Sequence, residues 1–265
     1  MRTQLEEQPA DESEQRGSLH ISHTTRADGQ PMTTRGLSVV LPAWNEEAVI
    51  AQTVQAVVQT LSQVAPDYEV LLVDDGSTDQ TGAIADALAA KNPRIRVIHN
   101  RPNRGYGGAL IAGFNAVSKD LTFFMDADGQ FDIGDITKLL AHLEEADAVL
   151  GYREQRQDPL LRIVNAWGWK MLMRLLFGLK VRDVDCAFKL YPTELVRRAN
   201  VQAQGAMVNT EMLVKLHRLG YRWVEVPIQH YPRQGGKATG ANLRVILRAF
   251  RELLKLHHRI KHEEL

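Results

Sequence analysis

The chain has 265 residues, 44% hydrophobic and 24% charged, enough for a sizeable core in one large domain or one domain with an appendage. Lys plus Arg and Asp plus Glu are equal at 32 each, so bulk charge gives no case for nucleic acid. The single cysteine, Cys186, excludes an internal disulfide and a cysteine-only metal cluster and is compatible with a reducing, cytoplasmic compartment.

Residues 1–35 are dominated by Glu, Gln, Asp, Arg, Ser and Thr, with apolar residues too scattered to form a face, and are expected to be a disordered tail. They lack the apolar stretch of a signal peptide, and no apolar run in the chain is long enough to span a bilayer. Any membrane contact would be peripheral.

Gly36 to Pro42 reads as a buried strand that stops at proline, and Asn45-Glu46-Glu47 then opens a helical pattern with acids in its first turn. Tyr68 to Val73 is a second strand ending in Asp74-Asp75-Gly76-Ser77-Thr78-Asp79, where Ser77 or Thr78 can cap the next helix. Ile95 to Ile98 is a third strand, followed by a loop rich in Gly and Arg from Asn100 to Gly108 and a helix carrying Leu110, Ile111 and Phe114. A fourth strand from Leu121 ends in Asp126-Ala127-Asp128-Gly129-Gln130. A helix through Ile133 to Leu143 and a strand at Ala148-Val149-Leu150 complete this half.

The second half is less regular. Pro159 to Leu179 has a helical period but is apolar on most sides, with Arg162, Lys170 and Arg174 interrupting it, which suits a membrane surface or a core or dimer helix. Val181 to Tyr191 reads as a strand, Met207 to Leu219 as a helix ended by Gly220, and Tyr221 to Ile228 as another strand. Gln229 to Gly240 is a glycine-rich loop whose Arg233 and Lys237 either close over phosphates or merely decorate a linker. Residues 241–265 form an amphipathic helix, apolar at Leu243, Ile246, Leu247, Phe250, Leu253 and Leu254 and basic opposite. It can pack on the domain, pair with a second subunit or lie on anionic lipid.

Strands alternating with helices predict an α/β fold, a Rossmann-like, mostly parallel sheet with helices on both faces. In such a sheet the polar strand ends at Pro42-Ala43-Trp44-Asn45-Glu46, at Asp74-Asp75-Gly76-Ser77 and at Asp126-Ala127-Asp128 lie along one edge, where open α/β sheets bind ligands. Any one of them read alone is a capping turn. Two carboxylates one residue apart at a strand's C-terminal end also suit Mg²⁺ or Mn²⁺, which such sites share with substrate phosphates.

Four motifs in order, Val39 to Glu47, Val73 to Asp79, Asn103 to Ala109 and Asp126 to Gln130, resemble glycosyltransferase family 2 with its GT-A fold. Arg182 to Lys189 and Glu225 to Ile228 resemble its dolichol- or polyprenyl-phosphate mannosyl- and glucosyltransferase branch. The resemblance implies a nucleotide-sugar half at 36–150 and an acceptor half at 151–240. It implies that Pro42, Trp44 and Glu46 line the base and ribose pocket with Val73 and Asp75, and that Ala127 lies against the bound nucleotide. Asp126, Asp128 and Gln130 would hold the metal on the donor diphosphate. Arg153, Arg182 and Cys186 would face the acceptor phosphate, and Arg233 and Lys237 would sit on the mobile loop. The branch commonly has tyrosine at the position of Trp44, and its Thr-Ser-Gly-Phe-Arg pattern is replaced by Asp185-Cys186-Ala187-Phe188-Lys189, a thiol for a hydroxyl and a lysine for an arginine.

The expected reaction moves a hexose from GDP-mannose or UDP-glucose to a polyprenyl or dolichyl phosphate, with inversion in one displacement. A phosphate nucleophile is anionic at neutral pH and needs orientation rather than a base; Glu211 is the one candidate base if the acceptor is a hydroxyl. A family 2 transferase acting on a saccharide or small-lipid hydroxyl and a non-catalytic binding subunit are the alternatives.

Overall fold

The strands lack polar alternation because the sheet is covered on both faces: β1 (Leu37–Ala43), β2 (Tyr68–Asp74) and β4 (Leu121–Met125) are buried at every position. A computed structural model describes residues 31–154, 160–232 and 243–262, without the side chains of 160–167 and 243–249. Among the described residues β3 (Ile95–His99), β5 (Ala148–Arg153), β6 (Phe188–Pro192) and β7 (Trp223–Ile228) complete one sheet in the order β3-β2-β1-β4-β6-β5-β7. Every neighbouring pair is parallel except those of β6, which runs antiparallel to both β4 and β5. Both expected halves therefore share a single sheet. The helices are α1 (Ile50–Val64), α2 (Thr81–Lys91), α3 (Gly105–Ala116), α4 (Ile136–Leu140), α5 (Leu160–Phe177), α6 (Thr193–Ala199), α7 (Val208–Arg218) and α8 (Leu243–His262).

Pro42 does not end β1 but lies inside it, paired with Val73. The Ala43 carbonyl accepts from Asp75 N–H on the β2 side (2.9 Å), so strand alternation turns the Pro42 nitrogen towards β4. The β1–β4 ladder has already ended at Val40 and Phe124, so the missing N–H costs no bond. Helix α1 likewise begins later than expected, at Ile50, with no acid in its first turn. Asn45 takes a left-handed φ of 56°, and Ser77 and Thr78 bind it instead of capping α2. Their bonds, Asn45 N–H to Ser77 Oγ at 3.1 Å and Thr78 N–H to Asn45 Oδ1 at 2.8 Å, lock the ends of β1 and β2 together.

Of the strand expected over Val181 to Tyr191, only β6 forms. Lys189, wholly buried, reaches back to the carbonyls of Val184 (3.0 Å) and Cys186, and this curls the segment before β6 out of the sheet. Residues 31–35 of the expected tail are described and join the domain, with Thr33 N–H donating to the Val64 carbonyl at 3.2 Å and Met32 packing on the core, while residues 1–30 lie outside the described residues. In α8, Leu253, Leu256 and Ile260 are buried, Phe250 meets Trp169 of α5 edge-on at 5.7 Å, and His257 meets Phe177. The described part of this helix thus packs on the domain, and Leu254, expected on its apolar face, is instead exposed.

Candidate active site

The register brings the expected motifs to one edge. Ala43 pairs with Asp74, and two residues past the Val40–Phe124 pair β1 has reached Pro42 and β4 has run out into Asp126. Because β6 is antiparallel, its first residue, Phe188, pairs with Met125 and delivers the Val181–Ala187 segment to this same edge. Arg153 ends β5, which is parallel to β4 in sense, and arrives there too.

Asp126 and Asp128 occupy a sharp turn completed by Gly129 at φ 74°, a conformation that glycine adopts without strain. Gln130 N–H closes the turn on Asp128 Oδ1 at 3.1 Å. Asp126 Oδ1 is shut off from solvent and has no hydrogen-bond partner. Burial, followed by the charge of Asp128, pushes the Asp126 carboxyl up to about 7, against the pull of Tyr106, Lys189 and Arg153. A buried, partnerless carboxylate oxygen beside a second carboxylate fits a divalent cation, whose charge relieves both penalties. Among the described residues no third His, Cys, Asp or Glu joins the pair, so a cation held here must take further oxygens from elsewhere. The Gln130 side chain donates Nε2 to the Tyr231 carbonyl (2.9 Å), and Tyr231 N–H returns a bond to the Gln130 carbonyl (2.7 Å). The start of the post-β7 loop is thereby laid across the turn; Arg233 and Lys237, farther along it, lie outside the described residues.

On the other side of the edge, Asp75 is buried and its Oδ1 accepts from Asn100 Nδ2 (2.8 Å) and Arg104 N–H (2.9 Å). These bonds draw the Asn100–Arg104 loop against β2. Pro42 sits in the strand beside it, Val73 and Ala127 are wholly buried, and Glu46 is fixed by its N–H to Thr81 Oγ1 at 2.8 Å. Trp44 is 48% exposed, an unusual state for an indole without a covering partner and a suitable one for a stacking platform. Asp74 points away from this pocket. It binds His99 Nδ1 (2.9 Å) and Arg101 (3.2 Å) and serves the sheet instead.

Arg153 forms a two-pronged pair with buried Asp183, Nε to Oδ2 at 2.7 Å and Nη2 to Oδ1 at 2.9 Å, which raises its already high pKa further against the cost of burial. The pair clamps the two ends of the excursion that carries α5. Arg182 is not brought to the carboxylates in the same way. It is exposed, stacks on the Tyr152 ring at 4.6 Å, and donates its N–H to Glu225 at 2.6 Å. Strand alternation turns Tyr152 and Arg153 to opposite faces, so the two arginines flank β5 rather than converge. Cys186 is wholly buried with its thiol pushed up to about 12, chiefly by burial.

Glu211, the candidate base, is committed elsewhere. Its Oε2 accepts from Gln202 and Ala203 N–H (3.0 and 2.7 Å), and its Oε1 pairs with Lys215 (3.2 Å) and Arg259 (2.7 Å). It holds α7, α8 and the 202–205 loop together. That loop lies so close to α3 that a Cβ on Gly107 would collide with the Ala203 carbonyl, and Gly108 N–H donates to Gln204 (3.1 Å).

Three site residues carry no role in the motif reading: Tyr106, Asp183 and Lys189. Tyr106 Oη is buried without a well-formed bond and lies within electrostatic reach of Asp126. Its only signal in sequence is a lone aromatic among the glycines of Gly105-Tyr106-Gly107-Gly108. The partnership of Asp183 with Arg153 spans thirty residues, and nothing local announces it.

A family model described as Glycosyl transferase family 2 matches residues 38–199. The glycosyltransferase AglD of Haloferax volcanii is 35% identical over 74% of this chain, which spans only 33% of that protein's length. The undecaprenyl-phosphate mannosyltransferase of Micrococcus luteus is 30% identical over 75% of this chain and 85% of its own. Glucosyl-3-phosphoglycerate synthase from Mycobacterium tuberculosis, crystallised with Mn²⁺, uridine diphosphate and glucosyl-3-phosphoglycerate, superposes with a TM-score of 0.64 at 24% identity, covering 84% of this chain and 80% of that one. The chain therefore belongs to glycosyl transferase family 2 and is a glycosyltransferase built on the GT-A fold.

Proposed function

We propose that the chain is a metal-dependent, inverting hexosyltransferase that moves the sugar of GDP-mannose or UDP-glucose to a polyprenyl or dolichyl phosphate, working peripherally at the cytoplasmic face of a membrane. The observation that carries the reading is the partnerless, buried Asp126 oxygen beside Asp128 at an edge that also presents Trp44, Asp75 and Arg153. The similarity to an undecaprenyl-phosphate mannosyltransferase supports the acceptor class.

In this reading Trp44 stacks on the nucleotide base, with Pro42, Glu46, Val73 and Asp75 shaping the pocket and Ala127 backing it. Asp126, Asp128 and Gln130 hold Mg²⁺ or Mn²⁺. The ion, when bound, neutralises charge that develops on the departing diphosphate. Arg233 and Lys237 add to that neutralisation from the loop anchored at Tyr231. Arg153, held rigid by Asp183, orients the acceptor phosphate, whereas Arg182, on the opposite face of β5 against Tyr152, does not share that contact. An acceptor phosphate is already anionic and attacks the anomeric carbon without proton transfer to the protein. The commitment of Glu211 to its own ion pairs is consistent with this.

The test offers radiolabelled GDP-mannose and UDP-glucose separately with short polyprenyl phosphates, with and without Mn²⁺. Label entering organic solvent from one donor, only with metal, is the expected result, and Asp126→Asn should lower it by at least about a hundredfold. Transfer only to hydroxyl acceptors, full activity in Asp126→Asn, or an α-linked product from an α-linked donor would overturn the reading.

A further inference from the structure

The described residues include six large apolar side chains that stand exposed, and four of them, Met171, Leu175, Phe250 and Leu254, lie on α5 and α8. Leu175 is 80% and Leu254 66% exposed. The two helices touch through the Trp169–Phe250 and Phe177–His257 contacts, so these residues belong to one side of the molecule. They are not spare core positions: Met173 on α5 and Leu253, Leu256 and Ile260 on α8 already bury the inner faces.

The charge on this side is lopsided. The chain as a whole carries 32 basic and 32 acidic residues. Helices α5 and α8 together carry nine Lys or Arg and one acid, Glu252. Glu252 is only partly exposed and lies close against Gly205, on the inner side. Lys170, Arg174, Arg251, Lys255 and Lys261 are all exposed around the apolar four. On the described parts of these two helices the exposed apolar residues are set among exposed cations, a pattern complementary to an anionic lipid surface, where the apolar side chains enter the acyl boundary and the cations meet the headgroups. A second copy of the chain would instead bring these five exposed cations against five. No described helix is long and apolar enough to cross a membrane, so the contact is interfacial.

We infer that α5 and α8 form one docking face for anionic bilayers, with Met171, Leu175, Phe250 and Leu254 as the inserting residues. The inference rests on the proposed lipid-phosphate acceptor for its purpose, because the Arg153–Asp183 pair closes the chain excursion that carries α5. A bilayer under α5 would therefore present an acceptor headgroup to the clamp that orients it.

The test is flotation of the full chain with vesicles of neutral phosphatidylcholine and of phosphatidylcholine with phosphatidylglycerol, read without turnover. Binding is expected to the anionic vesicles only and to weaken with salt. It should fall about fivefold for each of Lys170→Gln, Arg174→Gln, Arg251→Gln and Lys255→Gln, and at least tenfold for Leu175→Ser/Leu254→Ser. The double variant should keep the wild-type circular dichroism spectrum and its transfer to a short, water-soluble polyprenyl phosphate. Equal binding to neutral vesicles, no binding, or full binding by the double variant would overturn the inference. So would a concentration-dependent dimer in sedimentation that Leu175→Ser/Leu254→Ser dissociates. Anionic-vesicle binding without transfer to any polyprenyl phosphate would refute the proposed acceptor and leave the docking face standing.

Discussion

Replacing Glu211 by glutamine separates a structural role from a catalytic one. The amide oxygen can still accept from Gln202 and Ala203 N–H, so the loop keeps its acceptor. What disappears is the charge opposite Lys215, which is wholly buried and also donates to the Asn200 carbonyl at 3.1 Å. Removing one partner of a buried pair costs about 3 kcal/mol, because the surviving charge keeps its desolvation penalty. Arg259 is about one-third exposed, so its lost pairing adds less than about 1 kcal/mol. For a domain of this size the sum lowers the melting temperature by roughly 6–16 °C. Calorimetry and urea titration should show that loss, with transfer at 15 °C little changed. Adding Lys215→Met should recover at least about 1 kcal/mol, since the stranded charge goes too. An unchanged melting temperature with turnover reduced about a hundredfold or more would refute the reasoning and make Glu211 a base.

His99 lies between Asp74 and Asp86 at 2.9 and 3.0 Å, and its bond to Asp74 raises its pKa. A histidine raised in the folded state stabilises fully below its unfolded pKa, about 6.5, and this is lost as pH rises through the folded value. The melting temperature should therefore decline above about pH 6.5, and His99→Gln should flatten that decline; parallel curves for the two proteins would contradict the charged pair. Cys186, buried and pushed up to about 12, should resist thiol reagents at pH 8 until denaturant is added; prompt labelling of the native protein would contradict its burial. Gly107→Ala forces α3 off the 203–205 backbone and should cost about 1–3 kcal/mol together with turnover, since Tyr106 adjoins Asp126. Gly168→Ala, with open space around its Cβ, should be neutral or stabilising by up to about 1 kcal/mol; similar losses at both positions would remove the role assigned to the loop contact.

By itself the sequence determined the elements whose signals are local. The apolar runs at Leu37, Tyr68 and Leu121 are strands because they are buried on both faces, and their polar ends at Trp44, Asp75 and Asp126 meet because parallel strands share a direction. The family likewise follows from motifs that are contiguous in the chain. Where proline sits in β1 and where α1 starts depend on which neighbour a backbone group faces, and that is a matter of register rather than of local pattern. The acceptor side was beyond local reading. The antiparallel course of β6, the buried lysine that curls Val184 to Cys186, and the joining of Arg153 to Asp183 pair residues far apart in the chain. The burial of Glu211 against Lys215 and Arg259 is of the same kind, and a helix-terminal acid looks identical in sequence whether it faces water or two cations. Only the tertiary structure decided these, because the energy of a buried charge is set by partners that arrive from elsewhere in the fold.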